Sequence, residues 1–112
     1  MNNFVIVEAA PFEEKFGTLT LVEKERVEKF IIQLRANANM IGKPLGYFFF
    51  REKKFNGKRL YFLVYEEWKA VLVITISGKK DQPETILAIK SRLPLYREYI
   101  YQKLKEIGVI ST

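Results

Sequence analysis

Cysteine and histidine are both missing from the 112 residues. Without cysteine there can be no disulfide and no thiolate metal site. Without histidine there is no Ser-His-Asp or Cys-His constellation and no histidine-containing metal centre. Any acid–base chemistry therefore falls to Lys, Arg, Tyr, Glu or Asp. The acidic residues show no metal-ligand spacing and no glycine-rich phosphate loop is present, so neither a metal nor a cofactor is expected. No apolar run approaches the roughly 20 residues of a membrane span; the longest, Ala70 to Ile76, has strand length. The N-terminal MNNFVIVEAA lacks the basic segment of a secretory leader. These absences fit a cytoplasmic protein with no membrane association.

What is present is enough apolar material, 48% of the chain, for one core in one domain. The net charge of +6 is unevenly placed. Residues 1–42 carry 5 basic and 6 acidic side chains (−1), residues 43–80 carry 9 and 3 (+6), and residues 81–112 carry 5 and 4 (+1). The middle third thus holds the excess and can attract a polyanion. A solvated hairpin with solubilising lysines would show the same charge.

Phe4 to Val7 reads as a first strand, and PFEEKF, started by Pro11 and stopped by Gly17, as a short helix. Thr20-Leu-Val-Glu23 has the capping-box spacing. Val27, Phe30, Ile31, Leu34 and Ala38 then repeat on one helical face. Gly42 and Pro44 end that helix. Three strand-like runs follow, near 46–54, 58–66 and 70–77, with Asn56-Gly57 predicting a type I′ hairpin turn. Asp81-Gln-Pro-Glu84 predicts another helix start, with Asp81 as the cap, and Pro94 predicts a break near Leu93. Tyr96, Tyr99, Ile100, Leu104 and Ile107 form a last helical stripe, stopped by Gly108. The expected class is α+β: an antiparallel meander with an N-terminal helical hairpin on one face and C-terminal helices.

Centring the hairpin on Asn56-Gly57 opposes Phe55 to Lys58, Lys54 to Arg59, Glu52 to Tyr61 and Phe50 to Leu63; opposed residues share a face. One face then carries Tyr47, Phe49, Arg51, Lys53, Leu60, Phe62 and Val64, joined by Val71, Val73 and Thr75. The other carries Phe48, Phe50, Glu52, Lys54, Arg59, Tyr61, Leu63 and Tyr65, joined by Leu72, Ile74 and Ile76, with Lys80 near it by parity. The helix at 21–38 covers the first face and the C-terminal helices part of the second. The expected opening is a cationic pocket of Lys54, Arg59 and Lys80 with one phenol, Tyr61, and one carboxylate, Glu52.

The element order over residues 3–90 resembles the RelE/ParE superfamily of toxins from type II toxin–antitoxin systems. The resemblance is closest over residues 57–86. Lys58-Arg59-Leu60-Tyr61 stands at the family's third-strand motif, and Ile76-Ser77-Gly78-Lys79-Lys80 at the segment that follows. Residues 91–112 form a C-terminal helical extension to this single domain of 1–112.

The resemblance implies a toxin neutralised by a protein antitoxin. In the RelE-like branch it implies an endoribonuclease that enters the ribosomal A site and cuts mRNA by attack of a ribose 2′-hydroxyl on the adjacent phosphate. In the ParE-like branch it implies an inhibitor of DNA gyrase, or a partner-binding module without catalysis. Either a monomer or a homodimer is compatible. Arg59 matches the arginine that contacts the scissile phosphate. Lys80 stands where a catalytic arginine is common, and Ile86 near a common tyrosine. Lysine lacks arginine's bidentate fork.

A metal-independent ribonuclease needs cations around the phosphorane-like transition state and a group to move a proton. The candidate catalytic residues are Arg59 as phosphate clamp, Lys54 or Lys80 as proton-transfer group, and Tyr61 as positioning residue. Arg51, Lys53, Lys58 and Lys79 are candidates for nucleic-acid binding. A cross-strand charged pair tempered by Glu52 would equally explain Arg59 and Lys54. Trp68, at a turn tip, is a candidate partner contact.

Overall fold

Proline and capping chemistry set the first elements. The computed structural model describes residues 3–111; Met1, Asn2 and Thr112, the ends of the stretch read as one domain, lie outside the described residues. Strand β1 (Val5–Glu8) is followed by α1 (Ala10–Gly17), with Pro11 in the first turn, where its missing N–H costs nothing. Helix α2 (Leu21–Asn37) begins with the capping box. Thr20 Oγ1 accepts from the Glu23 N–H at 3.2 Å, and the Glu23 carboxylate accepts from the Thr20 N–H at 3.0 Å.

The remaining elements are β2 (Lys43–Pro44), β3 (Phe50–Phe55), β4 (Lys58–Tyr65), β5 (Ala70–Gly78), α3 (Gln82–Ser91) and α4 (Leu93–Glu106). The sheet order is β1-β5-β4-β3-β2, with β1 parallel to β5 and the other neighbours antiparallel. The β3–β4 register is the expected one, including Lys54 opposite Arg59 and Glu52 opposite Tyr61. Asn56 and Gly57 both take positive φ (46° and 75°), as a type I′ turn requires.

Each sheet face buries its own apolar cluster. On the first face Phe55, Leu60, Phe62, Val71, Val73 and Ile76 pack with Val27, Phe30 and Leu34 of α2. On the second, Phe50, Tyr61, Leu63, Leu72 and Ile74 pack with Ile89 of α3 and Ile100 and Leu104 of α4. Pro94 sits in the first turn of α4 and the two C-terminal helices part at Arg92, as the sequence predicts.

Three expectations need correction. A β-bulge between the Tyr61–Thr75 and Phe62–Val73 pairs slips β5 by one residue against β4. It moves Thr75 to the second face and Ile76 to the first, and it removes the parity argument for Lys80. Second, residues 46–49 are not strand. Gly46 (φ +90°) lets the chain turn, the Leu45 N–H bonds the Phe50 carbonyl at 2.8 Å, and Phe48 stays 65% exposed. Third, Asp81 precedes α3 but makes no side-chain cap bond. Of the last helical stripe, Ile100 and Leu104 are buried, while Tyr99 and Ile107 are exposed.

Candidate functional site

Strand alternation and the bulge together bring Glu52, Arg59, Tyr61 and Ser77 to one end of the second face. β3 supplies the carboxylate, β4 the guanidinium and the phenol, and β5 the serine, which stands opposite Arg59. The Tyr61 and Ser77 hydroxyls lie 2.9 Å apart, and Ser77 Oγ also donates to the Gly78 carbonyl. Gln82, in the first turn of α3, donates through Nε2 to both Glu52 oxygens, at 2.9 and 3.2 Å. Lys43 Nζ approaches the same carboxylate at 3.7 Å.

This cluster is far more closed than the sequence suggests. Glu52 is 1% exposed, Tyr61 0% and Arg59 7%. Burial pushes the Tyr61 phenol above its ordinary pKa, with the Ser77 bond and Arg59 pulling the other way and Glu52 adding to the rise. Tyr61 therefore stays a neutral phenol packed in the sheet, with no ring face left for a base to stack on.

Arg59 is the polar group in tension. Its Nη1 donates to the Gly57 carbonyl at 3.2 Å, while its buried Nε has no hydrogen-bond partner among the described residues. None of the ion pairs among the described residues includes it. A buried guanidinium N–H without a partner is costly and suits an incoming anion. Lys54, directly opposite, is exposed, and so are Lys79 and Lys80 in the turn between β5 and α3. These three lysines have no ion-pair partner among the described residues.

The other basic candidates are held elsewhere. The Arg51 guanidinium donates to the carbonyls of Ile41, Phe48 and Gly42 (2.9, 3.0 and 3.2 Å) and lies over the Phe48 ring. It stitches the loop before β3, and burial lowers its pKa. Lys58 is bound by both oxygens of Glu23 at 2.9 Å, and Asn56 donates to the same carboxylate. Lys53 lies over the Phe30 ring, 5.4 Å from its centroid. Trp68 is half-buried between Tyr65 and Tyr101, with Arg97 across its ring, rather than projecting from a turn tip. Ile86 packs against the second-face cluster.

Sequence reasoning did not single out Gln82 or Ser77. Ser77 enters only through the bulge, which no glycine marks. Gln82 enters through the approach of α3 to the end of β3, a long-range contact without a local signal. Among the described residues there is no cluster of acidic side chains that could hold a metal ion, and no helix long and apolar enough to cross a membrane.

The fold and the site together define a small basic α+β domain whose mixed sheet buries an incompletely bonded arginine opposite Lys54, a lysine with no ion-pair partner among the described residues. The chain has the fold of the RelE-like toxin superfamily. An Escherichia coli RelE variant bound to a peptide of the antitoxin RelB matches with a TM-score of 0.61, 18% identity, and coverage of 76% of this chain and 95% of that one. The toxin–antitoxin complex RelBE2 of Mycobacterium tuberculosis matches at 0.60 and 15% identity, covering 69% and 99%. A RelB–RelE complex from Methanococcus jannaschii matches at 0.56 and 14%, covering 70% and 96%. This chain therefore carries length that these neighbours lack. No family model matches the chain, nor does any curated protein.

Proposed function

We propose that this protein is the toxin of a type II toxin–antitoxin pair and a ribosome-dependent mRNA endoribonuclease, held inactive in the cytoplasm by a protein antitoxin. The observation that carries the reading is Arg59: buried on a RelE-like sheet, with an Nε unpartnered among the described residues, opposite Lys54 on β3 and opposite Ser77 on β5, the strand that runs on into Lys79 and Lys80. A phosphate oxygen would complete the hydrogen bonding of the guanidinium and gain most as charge builds in the transition state. The ribose 2′-hydroxyl attacks the adjacent phosphorus and the bond to the 5′-oxygen breaks. Lys54 or Lys80 takes the proton from the 2′-oxygen and gives one to the leaving 5′-oxygen. The products are a 2′,3′-cyclic phosphate and a 5′-hydroxyl.

One observation favours a second reading without catalysis. Tyr61 is sealed in the sheet, and Ile86, partly buried against the second-face cluster, has no phenol, so neither position offers one to substrate. A ParE-like gyrase inhibitor or a partner-binding module would need none. Programmed ribosomes incubated with the protein, with mRNA ends mapped, separate the two. New ends in the A-site codon bearing a cyclic phosphate support the nuclease; intact mRNA together with blocked gyrase supercoiling selects the alternative.

A further inference from the structure

Glu52 and Arg59 are diagonal neighbours on the second face of the sheet. Glu52 stands opposite Tyr61, and Arg59 lies two residues before Tyr61 on β4. Such neighbours are roughly 7–8 Å apart, within reach of long side chains. Both groups are buried. A carboxylate and a guanidinium so placed are expected to pair, because a buried charge without a partner is costly. They do not pair. Among the described residues the ion pair of Glu52 is with Lys43, at 3.7 Å, and Arg59 has none.

The reason lies in α3. Gln82, at its first position, donates through Nε2 to both Glu52 oxygens. Ile86 and Ile89 seat the helix on the second-face cluster and so fix where Gln82 stands. A neutral amide offers two N–H donors and leaves the carboxylate its charge. The other groups nearby do not compete for Glu52. Tyr61, directly opposite, bonds Ser77 instead. The Lys43 side chain is 61% exposed, and an exposed partner at 3.7 Å is a weak restraint. The Glu52 carboxylate is thus held by α3, and Arg59 keeps a buried Nε without a partner among the described residues.

We propose that Gln82 is a positioning residue that keeps Glu52 off Arg59 and leaves the guanidinium open to an anion. The functional consequence rests on the reading of Arg59 as a phosphate clamp; the tether itself does not. Without the Gln82 amide, the buried Glu52 oxygens lose their donors, and the diagonal guanidinium is the strongest donor within reach. A Glu52–Arg59 pair would occupy Nε and offset the charge that draws in a phosphate. Gln82 therefore acts through Glu52, without touching the substrate.

A double-mutant cycle on the full chain tests this, with wild type, Gln82→Met, Glu52→Gln and the double variant. Methionine keeps the length of the side chain and removes the amide donors. The NMR signal of the Arg59 Nε–H is recorded without ligand, and the affinity for a single-stranded RNA hexamer is measured beside it. In Gln82→Met the Nε–H signal should move downfield as Glu52 accepts from it, and RNA should bind about tenfold more weakly. In the Glu52→Gln background, Gln82→Met should leave the signal in place and change binding by less than about twofold. Gln82→Ala should repeat the pattern. An Nε–H signal unmoved by Gln82→Met, or an equal loss of binding in both backgrounds, would overturn the proposal and assign Gln82 a purely structural role. Failure of the wild type to bind RNA would overturn the clamp reading alone, because the Nε–H comparison needs no RNA and still decides the tether.

Discussion

The Tyr61 hydroxyl and the Ser77 hydroxyl lie 2.9 Å apart, joining β4 to β5 next to the bulge that re-aims the end of the sheet. The bond is structural in character, since Tyr61 is wholly buried and burial raises its pKa. Tyr61→Phe is expected to cost about 1 kcal/mol of stability in urea unfolding. It should leave mRNA cleavage within about threefold of wild type, with an unchanged alkaline limb of the pH–rate profile. A large loss of cleavage in a well-folded Tyr61→Phe protein would return the phenol to the chemistry.

The division between structural and free cations can be read from salt dependence. Each of Lys54→Gln, Lys79→Gln and Lys80→Gln should lower the slope of log affinity against log salt for single-stranded RNA by about 0.7. Arg51→Gln and Lys58→Gln should leave the slope almost unchanged and lower the unfolding midpoint instead. Their charges are spent on loop carbonyls and on Glu23. Reversal of these two patterns would mean that the binding surface lies on the α2 side of the sheet.

Acid should loosen the junction between α2 and the hairpin. Lys58, the Thr20 N–H and Asn56 hold the Glu23 carboxyl down to a pKa of about 2, from an ordinary 4.5. A depressed pKa means that the stabilisation is complete above pH 4.5 and is lost as pH falls toward 2. Thermal melts across that window should show wild type more stable than Glu23→Gln at neutral pH and the two converging near pH 2. A difference that persists unchanged at pH 2 would rule out the Glu23 ion pair as its source.

Two glycines with similar backbone angles should behave differently. Both Gly42 and Gly57 have positive φ, so alanine strains either by about 1–2 kcal/mol. At Gly57 an added Cβ meets nothing within 4 Å, whereas at Gly42 it would meet the Glu52 carbonyl oxygen at 2.1 Å. Gly42→Ala should therefore destabilise well beyond Gly57→Ala in urea unfolding, because β2 must be pushed away from β3. Equal effects would contradict the close approach.

Local chemistry explains which features could be read from the chain. Asn56-Gly57 was legible because a two-residue hairpin needs positive φ twice, and Thr20–Glu23 because the capping box is a contact within one turn. The α2 face followed from its period and the β3–β4 register from the turn. The bulge was not legible: Ile74-Thr75 carries no glycine, and the extra residue shows only when β4 and β5 are paired. Tyr47 to Phe49 read as strand from aromatic content, while Gly46 and the Arg51 side chain hold those residues in a turn. The site was half legible. Alternation put Arg59, Tyr61 and Glu52 on one face, but the covering α3 and α4 decide that the phenol and carboxylate are sealed.

The central claim is that Arg59 is the phosphate clamp of a ribosome-dependent nuclease. The most direct test is the single-turnover rate of mRNA cleavage on programmed ribosomes by wild type and Arg59→Ala, with folding verified by circular dichroism. The expected result is A-site cleavage by the wild type and a loss of about 100-fold or more in the variant. Equal rates in a folded Arg59→Ala protein, or no cleavage by the wild type, would contradict it.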